Sequence, residues 1–191
     1  MDPQHQQDPN YLAFFAALEK TAFSGLIETN LAHRITYATD NSIYQILPQG
    51  VLFPKNTHDV ALIMQLSQED NFQMIRFSAR GAGTATNGQS LTAGIIIDMR
   101  RFMANILSID PVAQTATVEP GVVLDQLNDA LKPHKLQFAP SLSPSNRATI
   151  GGMFSTDASG KGSCVHGKTS DHIQETQVVF HDGHQERISA I

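Results

Sequence analysis

The chain has 191 residues and a formal net charge of −5, from 13 Lys and Arg residues against 18 Asp and Glu residues. This length suits one domain or two small lobes, and the acidic balance without a basic run argues against nucleic acid as a partner. The single cysteine, Cys164, excludes a disulfide framework within the chain. No apolar run approaches membrane-spanning length, and the polar start lacks the apolar core of a signal peptide. We therefore expect a cytoplasmic protein with no membrane span.

The first 49 residues predict a helical arm that packs on the domain from outside. Residues 1–8 are polar and are predicted to be disordered. Asp8 and Pro9 combine a capping side chain with proline at the first helical position, which predicts a helix that continues to about Phe23. A second short helix is expected near 27–32.

Residues 50–98 predict a small α/β lobe. Apolar runs predict three strands, at 51–53, 74–77 and 94–98. Thr57 is the candidate N-cap of a helix that lies between the first two strands and continues to Gln68. Because strand, helix and strand alternate, we expect a right-handed crossover and three parallel strands.

Residues 99–191 predict a second lobe with its own sheet. Two β runs joined by Asp110 and Pro111 predict a hairpin, and a helix stopped by Pro133 follows it. The predicted elements are strands at 105–109, 113–119, 137–138 and 175–181 and a helix at 122–131. The last residues, 187–191, are expected to follow the final strand, as at the cut edge of a longer domain. The predicted fold class is therefore α+β, with a mixed or antiparallel sheet in the second lobe.

A glycine-rich loop lies between the second and third predicted strands. Residues 80–88 read Arg-Gly-Ala-Gly-Thr-Ala-Thr-Asn-Gly. Glycine lets the backbone adopt positive φ, and successive peptide N–H groups in such a loop can converge on an anion. The loop is therefore interpreted as a phosphate-binding segment, with an ordinary connection between strands as the alternative.

Two common phosphate-binding motifs do not fit this loop. A P-loop needs a Lys after its second glycine, and no Lys follows these glycines at that spacing. A dinucleotide-binding turn needs a third glycine where Thr86 stands, and a helix after it. An NAD- or ATP-binding domain is disfavoured for these reasons. The anion would be bound by loop amides and by short polar side chains.

A second stretch of small polar residues covers 139–171. Long loops without a core of their own inside a compact domain are usually functional or disordered. Its apolar centre at Ile150 and Met153 and its scattered charge argue against disorder. Gly151 and Gly152 permit close approach of a flat ligand to the backbone. The two small-residue segments suggest one long ligand between them, and a pair of unrelated turns is the alternative.

Taken in order, several short motifs between residues 34 and 183 form a pattern. They are Asp40–Tyr44, Phe53-Pro54 with Asp59-Val60, Arg80–Thr84, Val118–Val122, Thr149–Gly152, Asp157–Gly160, His166-Gly167 and Val178-Val179 with Asp182-Gly183. This pattern resembles the FAD-binding domain of the p-cresol methylhydroxylase/vanillyl-alcohol oxidase type. The branch it resembles most contains FAD-linked oxidoreductases of D-lactate, glycolate and D-2-hydroxyglutarate, especially large bacterial enzymes with iron–sulfur modules on the same chain.

The resemblance implies a function and a set of roles. It implies FAD as cofactor and oxidation of a small 2-hydroxy acid by hydride transfer to the flavin. The glycine loop would wrap the FAD pyrophosphate, and the later segments would line the flavin and its ribityl chain. The implied cofactor-binding residues are Arg80, Gly81, Ala82, Gly83, Thr84, Asn87, Gly88, Pro140, Ser141, Thr149, Gly151, Gly152, Asp157, Ser159 and Gly160.

The resemblance also implies that the chain is the N-terminal portion of a larger protein. The rest of that protein would carry the substrate lobe and the catalytic base, so no catalytic residue is named here. Its electrons would leave through an iron–sulfur module or a quinone, and the full-length form could lie peripherally at a membrane. A non-catalytic flavin-domain module that serves as a binding or assembly surface is the alternative function.

Several positions differ from the family pattern or lack a role in it. Some relatives attach FAD through a His in the first loop or a Cys near the paired glycines; Thr84 and a cysteine-free 140–152 segment predict non-covalent FAD here. His166 stands where many relatives have Tyr, and is interpreted as a packing residue or a flavin-tuning group. The His residues show no metal-binding set, and His181 and His184 are expected to be solvated at a hairpin turn. Asp98 and Asp157 are interpreted as strand-end or turn acids rather than general bases.

Overall fold

A computed structural model describes residues 6–189 of the chain. Residues 1–5, which belong to the segment predicted to be disordered, lie outside the described residues, as do 190–191. The chain divides into two compact units. The first comprises 6–80 together with 85–98 and 177–188, and the second comprises 81–84, 99–176 and Ser189.

A four-stranded mixed sheet forms the centre of the first unit. Its strands are β1 (Leu26–Glu28), β2 (Gly50–Phe53), β3 (Phe77–Arg80) and β4 (Ile95–Asp98). The order is β1-β2-β4-β3, in which β2, β4 and β3 are parallel, as predicted. The additional strand β1 pairs antiparallel with β2 and occupies the start of the segment predicted as a short helix near 27–32, and that helix begins at Leu31 instead.

The N-terminal segment is integrated into the first unit rather than packed on it from outside. Helix α1 (Pro9–Leu18) begins after Asp8, whose carboxylate accepts a hydrogen bond from the Asn10 N–H at 2.8 Å, as predicted, but it ends five residues before Phe23. Phe14 and Leu18 on this helix are fully buried. Helix α2 (Leu31–Thr36) follows β1. The division of the remaining chain into lobes at 50–98 and 99–191 stays a proposal.

The predicted positions of the next helix and strand are shifted along the chain. Helix α3 (Thr57–Leu66) is capped by Asn56, whose Oδ1 accepts from the Asp59 N–H at 2.9 Å, and not by Thr57. Strand β3 begins at Phe77, three residues later than predicted, because the chain before it turns and leaves Met74 74% exposed. The shift places Arg80 at the end of a strand, paired with Asp98 of β4.

The second unit packs a helix and a hairpin around its own core. Strands β5 (Ile106–Asp110) and β6 (Thr115–Val118) are antiparallel, as predicted. Helix α4 (Leu124–Leu131) follows, and a 3₁₀ turn, Lys132–His134, contains Pro133. The strand predicted at 137–138 does not form. The core consists of Val122, Leu124, Leu127, Leu131, Ala148, Ile150 and Met153.

The stretch from 139 to 171 is more ordered than predicted. It contains two short helices, α5 (Ile150–Ser155) and α6 (Ser163–His166), and a 3₁₀ turn, Ser170–His172. Strands β7 (Glu175–Val179) and β8 (Gln185–Ser189) then form a two-stranded sheet. The prediction that 187–191 follow the last strand is wrong for 187–189, because these three residues form the end of β8. No described helix has both the length and the apolar character needed to cross a membrane.

Candidate functional site

The loop after β3 presents a run of backbone donors. Gly83 has a φ of 66° and Gly88 a φ of 76°, which an L side chain rarely adopts. Within the described part of the chain, no group accepts a hydrogen bond from the N–H groups of 82–86. No Lys or Arg lies between residues 81 and 99. An anion at this loop would therefore be bound by main-chain N–H groups.

Gly81 fits closely against Thr149. A Cβ at Gly81 would stand 2.2 Å from the Thr149 Oγ1, so glycine is required at this contact. Thr149 is 3% exposed, and its Oγ1 caps α5 by accepting from the Gly152 N–H at 3.4 Å. Thr149 thus brings the start of the glycine loop next to the paired glycines, within the second unit.

The two glycines of α5 have different surroundings. A Cβ at Gly151 would meet the Cβ of Pro120 at 2.6 Å, and the Gly151 N–H donates to the Pro120 carbonyl at 2.8 Å. Among residues 6–189, a Cβ at Gly152 would meet only the Thr149 Oγ1, at 3.1 Å, and Gly152 is exposed. Gly151 is therefore needed for packing inside the protein, while Gly152 presents bare backbone outward.

Pro120 is a site residue that the sequence reasoning did not identify. It lies in the Val118–Val122 motif, to which no role was assigned. A Cβ at the next residue, Gly121, would stand 2.3 Å from the Met99 carbonyl oxygen. The Pro-Gly pair was the available signal, since it permits this tight packing beneath α5.

Asp157 closes the segment that follows α5. Its φ is 45°, its carboxylate forms an ion pair with Lys168, and its Oδ1 accepts from the Ser170 N–H at 3.1 Å. Hydrogen bonds from Lys168 and then from Ser170 lower the pKa of Asp157 to about 2. The carboxylate is committed to this turn, in agreement with its interpretation as a turn acid. Asp98 likewise ends β4 and accepts from the Tyr37 hydroxyl at 2.8 Å.

Ser141 and Gly160 meet in the same unit. A Cβ at Gly160 would stand 1.6 Å from the Ser141 carbonyl oxygen, so the two backbones are in direct contact. Pro140 and Ser141 also line a groove of about 360 Å³ beside α4. The Ser159 side chain is exposed. Ser141 and Gly160 are thus brought together by packing of their backbones.

The other three predicted residues belong to the first unit. Arg80 is 9% exposed, and its guanidinium donates to backbone carbonyls there. The Asn87 N–H donates to the Gln89 Oε1 at 3.1 Å. Gly88 lies against Tyr44, whose ring carbon Cδ2 would be 3.0 Å from an added Cβ. Of these partners, Tyr44 lies in the Asp40–Tyr44 motif, to which no role was assigned.

The remaining candidate residues are exposed. His166 ends α6 with its side chain in solvent, which does not fit the packing role, and its carbonyl accepts from the His172 Nε2 at 2.6 Å. Cys164 is an exposed free thiol. His181 and His184 flank the turn between β7 and β8 and are exposed, as predicted. In residues 6–189, no set of three or more His, Cys, Asp or Glu side chains is arranged to hold a metal ion.

The fold of this chain is similar to that of solved structures. An alkyldihydroxyacetonephosphate synthase has a TM-score of 0.81 at 20% identity, over 97% of this chain and 39% of that one. A Physcomitrella patens protein titled BBE-like 1 has a TM-score of 0.78 at 21% identity, over 92% of this chain and 37% of that one. At these identities the likeness shows the fold.

Relatives with higher sequence identity to this chain are much longer than it. The chain is 53% identical over 91% of its length to a D-2-hydroxyglutarate dehydrogenase of Pseudomonas putida strain KT2440, of which it covers 17%. It is 50% identical over 96% of its length to the protein of that name in Escherichia coli K12, of which it covers 18%. A glycolate oxidase subunit GlcD of Bacillus subtilis strain 168 is 30% identical over 80% of this chain and 32% of that protein. The chain therefore spans less than a fifth of the dehydrogenases.

The family match covers the glycine loop, the paired glycines and the two antiparallel sheets β5–β6 and β7–β8. Residues 48–189 match the family described as FAD binding domain, which is most of the chain. This match agrees with the α+β fold and with the resemblance in the sequence motifs. The chain belongs to this family of FAD-binding domains.

Proposed function

We propose that the chain is the FAD-binding portion of a flavin-dependent dehydrogenase that oxidises a small 2-hydroxy acid. The observation that carries the proposal is the run of N–H groups at 82–86, which have no acceptor in the described chain. Residues of the second unit, close to Thr149, provide a bare backbone surface beside the start of this run. The donor set and the close glycine contacts suit a dinucleotide cofactor.

The pyrophosphate is assigned to the glycine loop. Ala82, Gly83 and Thr84 supply successive N–H donors, and the positive φ of Gly83 turns them along the loop. Hydrogen bonds to a charged acceptor contribute about 1.5–3 kcal/mol each, so several of them compensate for the absence of a lysine. Asn87 and Gly88 are assigned to the same role at the far end of the loop.

The flavin side is assigned to the second unit. Gly152 and Ser159 are exposed, and Ser141 and Gly160 pack together, so this surface combines bare backbone with short hydroxyls. Thr149, which caps α5, and Gly151, which packs on Pro120, hold this surface in place from the protein side. FAD bound here would supply a flavin ring that can accept a hydride, and this surface would hold and orient the ring. The cofactor is held without a covalent link, since no His or Cys lies in the first loop or between 140 and 152.

The substrate class follows from the relatives. Proteins at about half identity are named D-2-hydroxyglutarate dehydrogenase, and one at 30% is a glycolate oxidase subunit. We assign the full-length protein to oxidation of D-2-hydroxyglutarate, D-lactate or glycolate at C2. Its electrons leave through an iron–sulfur module or a quinone, and we place it in the cytoplasm or peripherally at a membrane.

A titration of the chain with FAD, followed by quenching of flavin fluorescence, tests the cofactor assignment. Wild-type chain should bind FAD, and Gly83→Ala should weaken binding at least tenfold because it strains the loop. Gly183 has a φ of 81° in the turn between β7 and β8, and Gly183→Ala, which strains that turn and also crowds Gln65, is the control for a general loss of stability. Equal FAD affinity in wild type and Gly83→Ala would contradict the loop assignment. Competition by NAD without a response to FAD would favour a different nucleotide.

Catalysis is tested in the longer protein that contains this chain. Anaerobic addition of a 2-hydroxy acid should bleach the flavin absorbance if the protein is a dehydrogenase of this class. FAD binding without bleaching by D-2-hydroxyglutarate, D-lactate or glycolate would support the non-catalytic module instead.

A further inference from the structure

Arg80 is buried immediately before the glycine loop, and its guanidinium is bound by other parts of the chain. Its Nη2 donates to the Thr39 carbonyl at 2.8 Å, and its Nη1 donates to the Tyr37 carbonyl at 3.4 Å. The guanidinium also lies 5.2 Å from the centre of the Tyr37 ring. These donors are engaged by the chain segment before β2, so they bind protein backbone rather than a ligand.

The same guanidinium reaches the other end of the loop. The Arg80 Nη1 lies 3.5 Å from the Ser90 Oγ, and that hydroxyl donates to the Asp40 Oδ2 at 3.2 Å. The Ser78 hydroxyl adds a bond to the Gln89 carbonyl at 3.1 Å. Arg80, at the start of the glycine loop, therefore contacts Ser90, which follows the end of the loop.

The segment held by Arg80 continues onto the loop itself. The Asp40 Oδ1 accepts from the Ser42 N–H at 2.8 Å, and the Ser42 Oγ accepts from the Tyr44 N–H at 3.1 Å. These two turns place the Tyr44 ring against Gly88, which has a left-handed backbone. The position of Gly88 thus depends on the chain that Arg80 organises.

We propose that Arg80 is a positioning residue for the glycine loop, one that sets the geometry of the loop through 37–44 and Ser90 without contacting the phosphates. This inference rests on the proposed FAD site. The Arg80 guanidinium contacts the Tyr37 and Thr39 carbonyls and the Ser90 hydroxyl at once, because its N–H donors are fixed in one plane. A lysine ammonium, which is a compact point charge, cannot reach all three of these groups. Burial lowers the pKa of the Arg80 guanidinium, and the nearby Tyr37, Asp40 and Asp98 side chains oppose that effect.

Arg34 provides a matched control in the same unit. It is 3% exposed, and its Nε donates to the Pro48 carbonyl at 2.7 Å. Arg34→Lys and Arg80→Lys each replace a buried guanidinium that binds a backbone carbonyl. The Arg34 bond to Pro48 joins the segment before β2, whereas the bonds of Arg80 join Thr39 and Ser90.

The experiment compares both variants and wild type by hydrogen exchange of the FAD-free chain and by FAD titration. Arg80→Lys should speed exchange in peptides that cover 38–46 and 87–91 and raise the Kd for FAD about tenfold or more, as expected for one or two lost hydrogen bonds from a charged donor. Arg34→Lys should change the FAD affinity less than twofold. Unchanged exchange in both peptides of Arg80→Lys would overturn the proposal, and this readout does not require FAD to bind.

Ser90→Ala keeps the test decisive if Arg80→Lys fails to fold. It removes the hydroxyl between Arg80 and Asp40 while leaving the buried charge in place, and it should speed exchange in the same two peptides. If wild type binds FAD and Ser90→Ala shows unchanged exchange and affinity, the positioning role is wrong and the FAD site stands. If wild type fails to bind FAD while the variants loosen both peptides, the cofactor assignment is wrong and the structural coupling by Arg80 stands.

Discussion

The Thr149 Oγ1 stands 2.2 Å from the point that a Cβ on Gly81 would occupy. That hydroxyl also caps α5. The contact therefore joins the glycine loop and the paired glycines within one compact unit, and it explains why a residue with no side chain precedes the proposed pyrophosphate donors.

Gly81→Ala should lower the free energy of unfolding by about 1–3 kcal/mol, because overpacking forces the buried Thr149 side chain to move. The double variant Gly81→Ala/Thr149→Ala removes the colliding hydroxyl, so its loss should be smaller than the sum of the two single losses. Chemical denaturation of the four proteins measures this coupling. Strict additivity would contradict the contact.

The glycines of α5 should respond differently to alanine. Gly151→Ala collides with Pro120 and should destabilise the chain by about 1–3 kcal/mol. Gly152→Ala should change stability little, since the helix gains about 0.5–1 kcal/mol from alanine and the Thr149 contact opposes it. Its main effect should be weaker FAD binding. Thermal unfolding and FAD titration separate the two results, and equal stability losses would show that the surroundings of the two glycines are the same.

The ion pair of Asp157 should make stability depend on pH in the acidic range. Its folded pKa, about 2, lies below the unfolded value, so the stabilisation is complete above about pH 4 and is lost as the pH falls toward 2. Urea denaturation at several pH values should show a shallower acid slope for Asp157→Asn than for wild type. Lys168→Met should reduce the slope in the same direction. Identical slopes in all three proteins would contradict the role of this pair.

Asp59 should anchor the N-terminal segment to the first unit. It is 1% exposed and accepts from the Ser24 N–H at 2.9 Å and from the Lys55 N–H at 2.8 Å. Asp59→Ala removes the carboxylate that these donors bind and should cost roughly 3 kcal/mol of unfolding free energy. Asp70→Ala, at an exposed carboxylate, is the control and should change stability by less than about 0.5 kcal/mol. A similar small effect at Asp59 would show that the anchor is not needed.

The sequence predicted the parallel strands and the β5–β6 hairpin because their apolar and turn residues are strongly patterned. It did not reveal β1 or β8, since β1 has three residues and every residue of β8 is exposed. Helix α5 was missed because Gly151 and Gly152 disfavour a helix, and tertiary packing on Pro120 outweighs that preference.

Part of the candidate site could also be predicted, again because local residue patterns are strong there. Glycine positions carry a local signal, so the loop and the paired glycines could be identified from the sequence. The partners of Arg80 could not, because Tyr37, Thr39 and Ser90 meet it only through the strand order β1-β2-β4-β3. A backbone carbonyl such as that of Thr39 is present at every residue, so the sequence cannot indicate which one accepts a hydrogen bond from Arg80.

The central claim is that the main-chain amides of 82–86 bind the diphosphate of FAD. Amide chemical shifts of the isotopically labelled chain, recorded during titration with FAD and separately with riboflavin, measure this directly. We predict that FAD shifts these five amides strongly and that riboflavin, which lacks the diphosphate, leaves them unchanged. FAD that binds without shifting them would contradict the claim.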